Sequence, residues 1–335
     1  MGKFKNKDVY LVMGSNSFSG SNFIDFLLNK NHTVIGVSRS REIQNVFLPY
    51  KKNFNLKKFT FKKIDINKNI NNLKKIILKY KPSIIVNYIA QGMVAESWQN
   101  PQDWYKTNIV SQTLLYKELS NFKFIKKFIH VSTPEVYGNT SKKITENYNF
   151  KPSTPYAISR ATMDTHLYKF FQNYNLPVIF TRTSNVYGPG QQLYRIIPKT
   201  FMCSKKQVRL KLHGGGSSLR SFIHIFDASN ATYLISKKGK LGETYHISTK
   251  EFISIKNLVK KIAKLQNIPF NKLYEIEKDR VGKDHSYKLN SIKLIKNLKW
   301  KPSINIDQGL LLTKAWIEDS YTRLKKLGLQ YKHKK

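Results

Sequence analysis

Short apolar runs alternate with longer amphipathic stretches through the first half of the chain. This alternation is typical of βαβ units, in which helices cover both faces of a parallel sheet. The predicted strands span residues 9–13, 33–37, 58–63, 84–87, 127–132 and 177–181. A helix is predicted over residues 22–29, with one apolar face formed by Phe23, Ile24, Leu27 and Leu28. The pattern predicts an α/β fold with a doubly wound parallel sheet.

The alternation breaks near Tyr187 into loops rich in Gly and Pro and into shorter elements. A later strand is predicted over residues 245–248, and helices over 254–266 and 304–324. We therefore expect a first lobe over residues 1–184, joined by a strand near 243–249. A smaller C-terminal lobe, mainly residues 185–335, would bind the substrate.

Glycines frame the turn that follows the first predicted strand, Gly14-Ser15-Asn16-Ser17-Phe18-Ser19-Gly20. Such glycines permit tight turning, and the N–H groups of the following helix can bind a pyrophosphate. Ser17 stands where a middle glycine is often found. The context predicts a Rossmann-type dinucleotide site that includes Gly14, Ser17, Phe18, Ser19 and Gly20. An ordinary strand–helix turn is the alternative.

The end of the second predicted strand bears on the choice of nicotinamide cofactor. NAD sites usually place a carboxylate here for the ribose hydroxyls, whereas NADP sites accommodate the extra phosphate with Arg. This chain has Ser38, Arg39 and Arg41 before its first carboxylate, Glu42. We expect NADP or NAD, with NADP slightly favoured. Asp65 and Ile66, which follow the third strand, are predicted to contact the adenine.

The chain of 335 residues carries a formal net charge of +39, from 59 Lys and Arg against 20 Asp and Glu. Clustered basic residues would indicate nucleic-acid binding. Here the lysines are scattered singly or in pairs, and no helix-turn-helix, zinc or RNA-binding signature accompanies them. We expect no nucleic-acid partner and attribute the charge to compositional bias, with a modest benefit for anionic substrates.

Compartment is predicted from the cysteine count and the distribution of apolar residues. Cys203 is the single cysteine, which excludes an intrachain disulfide and favours a reducing compartment. The start of the sequence is too polar for a signal peptide, and no apolar run approaches the roughly 18 residues of a membrane span. We expect a soluble, cytoplasmic protein without a membrane partner, and no metal.

Two further segments carry catalytic chemistry: His130-Val131-Ser132-Thr133-Pro134-Glu135-Val136-Tyr137-Gly138 and Ser153-Thr154-Pro155-Tyr156-Ala157-Ile158-Ser159-Arg160. With them the chain resembles the extended short-chain dehydrogenase/reductase family, the nucleotide-sugar epimerases and dehydratases, from Val9 to beyond Trp316. Supporting segments span residues 87–91, 97–101, 107–108, 182–189, 214–216, 220–224 and 279–284.

The resemblance implies that Tyr156 takes the proton of a sugar hydroxyl while a carbonyl forms. A free Tyr has a pKa of about 10, which a nearby cation can lower. The family supplies that cation as Lys four residues later, on the same helical face. Here Arg160 stands in its place, with the charge kept and the hydrogen-bond geometry changed. Thr133 matches the hydroxyl residue that shares the substrate oxygen.

Glu135 distinguishes reactions within the family. Oxidation at C4 makes the C5 proton acidic, and 4,6-dehydratases remove it with a Glu two residues after the Thr. Many relatives carry an acid between the two, whereas this chain has Pro134, so Glu135 would act as base and then as acid. The prediction is a 4,6-dehydratase, leaning toward the GDP-mannose type. A C4 epimerase, a nucleotide-uronate decarboxylase and a catalytically silent homologue are the alternatives.

The remaining expectations also come from the resemblance. Cofactor contacts are expected from Ala90, Gln91, Asn108, Tyr156 and Arg160. Contacts to a nucleoside-diphosphate sugar are expected from Gln91, Thr133, Asn185, Arg220 and Arg280. Met93 stands where relatives often have a substrate-facing His. A homodimer, or a tetramer, is expected to pair through helices near residues 102–119 and 156–173.

Overall fold

The structure is a computed structural model that describes residues 8–279, 282 and 284–334. At its centre lies a seven-stranded sheet of order β11-β6-β5-β4-β1-β2-β3, parallel throughout. Its strands are β1 Val9–Met13, β2 Thr33–Ser38, β3 Phe59–Lys63, β4 Ile84–Asn87, β5 Lys127–Ser132, β6 Val178–Thr183 and β11 Thr244–Ile247. The predicted fold class, a Rossmann-type doubly wound sheet, is confirmed.

Helices cover the sheet and build the second lobe. They are α1 Phe18–Asn29, α2 Ile70–Tyr80, α3 Pro101–Tyr105, α4 Ser111–Leu119, α5 Pro155–Tyr174, α6 Ile196–Lys205, α7 Ile225–Lys238, α8 Ile255–Leu265, α9 Phe270–Leu273, α10 Ile292–Leu298 and α11 Ile306–Leu324. A π-helical segment, Lys106–Val110, joins α3 to α4. Within the described residues, no helix is both long and apolar enough to cross a bilayer.

Both faces of the sheet are buried, which explains the continuous apolar runs of its strands. In β1, Tyr10 and Val12 pack into one cluster that includes Phe23 of α1. Leu11 and Met13 point to the opposite face and pack into a second cluster. Successive side chains of a strand alternate between faces, so an all-apolar strand fits only where helices cover both sides.

The strand order reverses between β1 and β4, because β2 and β3 extend the sheet in one direction and β4, β5 and β6 in the other. Ligands of doubly wound sheets bind beyond the carboxyl ends of the strands at such a switch point. Gly14 follows β1 at this point, with φ of +80°. A Cβ on Gly14 would lie 2.9 Å from the carbonyl carbon of Tyr88, so the two chains pass too closely for a larger residue.

The second lobe is held by three two-stranded ladders and by an apolar cluster of its own. The ladder strands are β7 Asn185–Tyr187, β8 Leu210–His213, β9 Leu219–Arg220, β10 Phe222–His224, β12 Ile253–Ser254 and β13 Tyr274–Glu277. Helix α11 begins with a capping box between Asn305 and Gln308. Because β11 returns to the main sheet beside β6, the lobes are interwoven, and a division at residue 184 stays a prediction.

Candidate active site

The turn after β1 is shaped for close backbone approach. Ser17 Oγ accepts a hydrogen bond from Gly20 N at 3.0 Å and caps α1. A Cβ on Gly20 would lie 2.3 Å from the carbonyl oxygen of Gly14, which excludes any other residue there. The first-turn N–H groups, including those of Phe18 and Ser19, have no partners within the helix and can bind an anion. Ser17 therefore caps the helix, a role that the spacing of the glycines did not predict.

The loop after β2 is tied to this turn by Asn16. Its Nδ2 donates to the carbonyl oxygens of Ser40 at 3.1 Å and Arg41 at 2.9 Å. Ser38 is buried, and its Oγ lies 3.4 Å from Asn16 N. Arg39, which follows it, is half-buried. The predicted cofactor residues at the end of β2 therefore lie beside the phosphate-binding turn.

Residues 36–41, at the end of β2 and the start of the loop after it, contain no carboxylate. The carboxylate of Glu42 instead accepts from the Tyr50 hydroxyl at 2.8 Å and from Lys51 Nζ at 2.7 Å. Asp65 follows β3, and its Oδ1 accepts from Asn67 N at 3.0 Å. Ile66 beside it is buried. Asp65 thus has a turn-forming role, which leaves the predicted adenine contact a prediction.

The loop after β4 is fixed by Asn108. Its amide accepts from Gln91 N at 2.8 Å, donates to Gln91 O at 3.1 Å, and donates to Ser159 Oγ of α5 at 2.9 Å. With these three bonds, a fully buried Asn108 positions Gln91 and the exposed Ala90. Direct contact between Asn108 and a cofactor stays a prediction.

Thr133 and Tyr156 come together at the end of β5 and the start of α5. Thr133 caps a short 3₁₀ turn, Pro134–Tyr137, by accepting from Glu135 N at 3.4 Å. Its side chain also lies close enough to Tyr156 to lower the pKa of that residue. Pro134 begins the turn and is buried. The two predicted proton-transfer residues are therefore neighbours across the cleft floor.

The pKa of Tyr156 is raised in the structure, whereas the sequence analysis predicted that a nearby cation would lower it. Burial raises the pKa of Tyr156, and the nearby Glu135 carboxylate raises it further. Arg160 and Arg195 oppose that rise without overcoming it. Burial likewise raises the pKa of Glu135, against the opposing charges of Arg220 and Arg195. Both groups are therefore biased toward their protonated forms in this structure.

Arg160 is fully buried and lies against a polar network on the cleft floor. Its Nη2 is 3.3 Å from His130 Nε2 and also donates to the carbonyl oxygen of Val131. The Tyr116 hydroxyl lies 2.6 Å from Gln112 Oε1 and 2.8 Å from His130 Nδ1, and His130 Nε2 lies 3.3 Å from Asp164 Oδ1. Burial lowers the pKa of His130 to about 4, which keeps the ring neutral.

A buried ion pair anchors this network to the sheet. Arg182 of β6 donates to Asp164 Oδ2 through Nε at 3.0 Å and Nη2 at 2.9 Å. Burial alone would raise the pKa of Asp164, but Arg182, His130 and Arg160 hold it down, to about 2. Neither Asp164 nor His130 was predicted as a site residue, although His130 begins the first motif segment and Asp164 lies four residues after the second.

The second lobe adds polar groups opposite Glu135. The Tyr287 hydroxyl donates to Asn185 Oδ1 at 2.9 Å and lies 3.5 Å from Glu135 Oε1. Arg220 stacks over the Tyr287 ring, 4.5 Å from its centroid. Its guanidinium is oriented by the carbonyl oxygens of Leu219, Asp284 and His285. Asn185 and Arg220 thus both contact Tyr287, and their binding of the substrate stays a prediction, whereas Arg280 lies outside the described residues.

The sequence reasoning missed Tyr287 and Arg195 as site residues. Arg195 lowers the pKa of both Glu135 and Tyr156, and the Tyr287 hydroxyl lies 3.5 Å from Glu135 Oε1. Arg195 follows the supporting segment 182–189, and its place just before α6 was the signal available for it. Tyr287 comes from a loop with no periodic pattern and reaches Glu135 only through the tertiary fold.

The described residues fit a dinucleotide. Arg160 Nε and Nη1 are buried donors without hydrogen-bond partners among the described residues. Buried polar groups are nearly always paired, so an unpaired guanidinium beside Tyr156 suits the hydroxyl groups of a ribose. At the other end of the cleft, the Gly14–Gly20 turn offers its helix N-terminus to a pyrophosphate.

Comparison with known proteins identifies the family. The model of the GDP-mannose 4,6 dehydratase family matches residues 11–313. The dTDP-glucose 4,6-dehydratase of Haemophilus influenzae is 30% identical, over 91% of this chain and 96% of that protein.

Solved structures share the fold. A dTDP-glucose 4,6-dehydratase from Bacillus anthracis in complex with NAD superposes with a TM-score of 0.85 at 27% identity, over 95% of this chain and 99% of that one. A UDP-glucose 4-epimerase from Thermotoga maritima with UDP-glucose gives 0.84 at 25% identity, over 93% and 99%. The resemblance predicted from sequence is confirmed, and the chain belongs to the GDP-mannose 4,6 dehydratase family.

Proposed function

We propose that the chain is a 4,6-dehydratase of a nucleoside-diphosphate hexose. It oxidises C4, removes water across C5 and C6, and forms a 4-keto-6-deoxy sugar nucleotide. The observation that carries the proposal is the grouping of Glu135 with Thr133 and Tyr156, at the end of β5 and the start of α5. A C4 epimerase has need of the pair but not of a carboxylate at C5.

The cofactor is NAD or NADP, held by the turn after β1, by Ser38 and Arg39, and by Arg160. Bound dinucleotide supplies the acceptor for a hydride from C4 and its donor to C6. NADP is favoured because residues 36–41 contain two Arg and no carboxylate, and because Glu42 is engaged by Tyr50 and Lys51.

Tyr156 and Thr133 act first, on the C4 hydroxyl. Thr133 lies beside Tyr156, so the proton leaving the substrate oxygen has a short path to the phenolate. Burial disfavours that phenolate, and Arg160 opposes the effect by its positive charge. Arg160 thereby contributes to the base even though its Nη2 lies against His130 and donates to the backbone.

Glu135 acts second, on the C5 proton. Its raised pKa makes it a stronger base than an exposed carboxylate, and the same carboxyl group, once it has taken the C5 proton, can donate that proton. Pro134 has no proton to donate, so the proton that Glu135 takes from C5 passes to the departing C6 hydroxyl, which leaves as water. Solvent then supplies the proton that returns to C5 as the hydride reaches C6.

The diphosphate and the assembly complete the proposal. Arg220 offers a fixed guanidinium next to Asn185, suited to the paired oxygens of a diphosphate. A dimer paired through the α3–α4 region and α5 is supported by the exposed apolar side chains Val110, Leu114 and Ile158 on those segments. Pairing there would brace the helix that carries Tyr156.

A substrate panel with mass detection tests the function. Incubation with GDP-, dTDP-, CDP- and UDP-hexoses and with a nucleotide-uronate should give loss of one water from one nucleotide class of hexose. An isobaric product would instead establish an epimerase, and loss of carbon dioxide a decarboxylase. No turnover of any substrate, with intact nucleotide-sugar binding, would establish a silent homologue.

A further inference from the structure

The chain crosses from one lobe to the other after α11. Leu327 and Leu329 pack against the apolar clusters of the second lobe, and Lys206 Nζ donates to the carbonyl oxygen of Leu327 at 3.3 Å. Residues 329–334, which we call the latch, then continue to the first lobe. The anchored start of the latch fixes the direction from which it approaches the cleft.

His333 docks the latch on the first lobe. Its ring stacks on the fully buried Trp104, with centroids 5.0 Å apart and planes inclined by 12°. Its Nε2 lies 2.7 Å from Asp103 Oδ2. A stacked ring and a polar bond to one carboxylate define a specific docking site rather than loose packing.

The latch also reaches the loop that carries cofactor candidates. Gln91 Nε2 donates to the carbonyl oxygen of Lys334 at 2.7 Å. Asn108 already holds the backbone of Gln91 on both sides, so the side-chain amide is the part of Gln91 left to bind other groups. The latch therefore ends beside the β4 loop, at the carboxyl edge of the sheet.

Tyr331 lies between the anchored start of the latch and His333. Its ring packs edge-on against Tyr194, with centroids 5.3 Å apart. Burial raises the pKa of Tyr331, whereas Arg39 and Arg195 lower it. Those two cations come from opposite sides of the cleft, Arg39 from the end of β2 and Arg195 from the start of α6. The latch thus passes over the space between the cofactor turn and the second lobe.

We propose that the latch closes the dinucleotide cleft and must open before the cofactor enters or leaves. The inference rests on the proposed function, which places a dinucleotide in this cleft. A dehydratase returns its hydride to the product in the same turnover, so it has no need to exchange cofactor in each cycle. A closed latch would keep the cofactor in place without limiting catalysis.

The docked state has features that let it open. Trp104 Nε1 and His333 Nδ1 are buried without hydrogen-bond partners among the described residues. Unpaired buried polar groups oppose docking. The side chains of Lys332 and Lys334 remain exposed, which favours release into water. Stacking on Trp104 and the bond to Asp103 therefore stabilise the docked latch against the unfavourable free energy of burying unpaired polar groups. Removal of either contact should shift the latch toward the open form.

Cofactor exchange kinetics test the latch. Stopped-flow fluorescence would follow NADPH and NADH binding to the cofactor-free full chain, to a chain ending at Gly328, and to His333→Ala. Lys332→Ala is the matched control, because that exposed side chain makes no contact described above. Loss of the stacking and of the charged hydrogen bond should raise both the association and the dissociation rate constants about tenfold, with a smaller change in Kd. Lys332→Ala should leave both unchanged.

Two kinetic outcomes would overturn the latch. Rate constants unaltered in both the truncated chain and His333→Ala would show that nothing must open. Faster association with unaltered dissociation would make the segment a competitor for the site instead of a closure.

Hydrogen exchange of peptides covering the latch, measured without cofactor, reports docking by itself. Hydrogen exchange should be faster in His333→Ala than in Lys332→Ala, and equal exchange would contradict docking.

Failure of the latch and failure of the proposed function can be distinguished. A chain that shows latch-dependent binding and release of cofactor but dehydrates no hexose would refute the proposed function and leave the latch standing. A chain that dehydrates a hexose but whose rate constants for cofactor binding and release do not depend on the latch would refute the latch and leave the proposed function standing.

Discussion

Arg160 Nη2 lies 3.3 Å from His130 Nε2, the same ring nitrogen that lies 3.3 Å from Asp164 Oδ1. Two further nitrogens of the guanidinium, Nε and Nη1, remain unpaired among the described residues. One side chain is thus fixed to the cleft floor through one nitrogen and keeps donors for a ligand. A Lys, with a single nitrogen, has to divide that one group between the two tasks.

The charge of Arg160 should be needed more than its shape. Arg160→Met removes the cation that opposes the raised pKa of Tyr156, so the phenolate becomes rarer at neutral pH. We expect kcat/KM to fall by about 10- to 100-fold at pH 7. The loss should shrink as pH rises, since alkaline solution restores the phenolate. Arg160→Lys is the matched control and should keep activity within about tenfold. A pH-independent loss in Arg160→Met would contradict this role.

The Asp164–Arg182 pair should contribute strongly to folding. Asp164→Asn leaves a buried Arg without its carboxylate and should lower the free energy of unfolding by about 3–5 kcal/mol at neutral pH. The pKa of Asp164 falls from 3.8 to about 2 on folding, so its stabilisation is present above pH 3.8 and lost as pH falls toward 2. Urea unfolding across this range should show the difference between variant and parent shrinking only below about pH 4.

Asp307→Asn is the control for that experiment. It removes an exposed pair in which Lys261 Nζ lies 2.7 Å from the carboxylate. Such surface pairs contribute about 0–1 kcal/mol. Equal destabilisation by the two substitutions would show that burial of the Asp164–Arg182 pair has no special effect.

Cofactor preference should depend on Arg39. Purified, cofactor-free protein should bind NADP more tightly than NAD in calorimetry, because Ser38 and Arg39 end β2 where NAD sites usually carry a carboxylate. Arg39→Asp should reverse the preference by repelling the 2′-phosphate. Tighter binding of NAD to the unmodified chain would refute the NADP assignment.

Assembly should depend on the apolar face of the paired helices. Leu114 is 52% exposed on α4, and Leu311 is equally exposed on α11. Light scattering at micromolar concentration should give a dimer or a tetramer for the parent chain and monomers for Leu114→Lys. Leu311→Lys, a matched change on another helix, should leave the mass unaltered. A monomeric parent chain would exclude the predicted assembly.

The main sheet was predictable because its strands are buried on both faces and each is followed by an amphipathic segment. Residues 9–13, 84–87 and 127–132 were predicted as strands with the bounds observed. The first helix was predicted to begin at residue 22 but begins at Phe18. Its first turn is the phosphate-binding turn, whose Ser and Gly do not show the apolar period of the helix.

Site residues were predictable where a motif keeps them close in sequence. Thr133 and Glu135 share one short turn, and Tyr156 starts the helix that carries Arg160. Tyr287 meets Glu135 across 152 positions of sequence, and His333 meets Asp103 across 230. No local pattern encodes such pairs, because they depend on how loops of the second lobe return to the sheet.

The fate of the C5 hydrogen tests the account most directly. Turnover of the accepted hexose nucleotide in deuterated water, followed by mass spectrometry and NMR of the product, should show loss of one water and one deuterium at C5. Glu135→Gln should suppress dehydration by about 10²- to 10⁴-fold, the usual contribution of a general base. A product of unchanged mass with no deuterium at C5, formed equally well by Glu135→Gln, would contradict 4,6-dehydration and establish epimerisation.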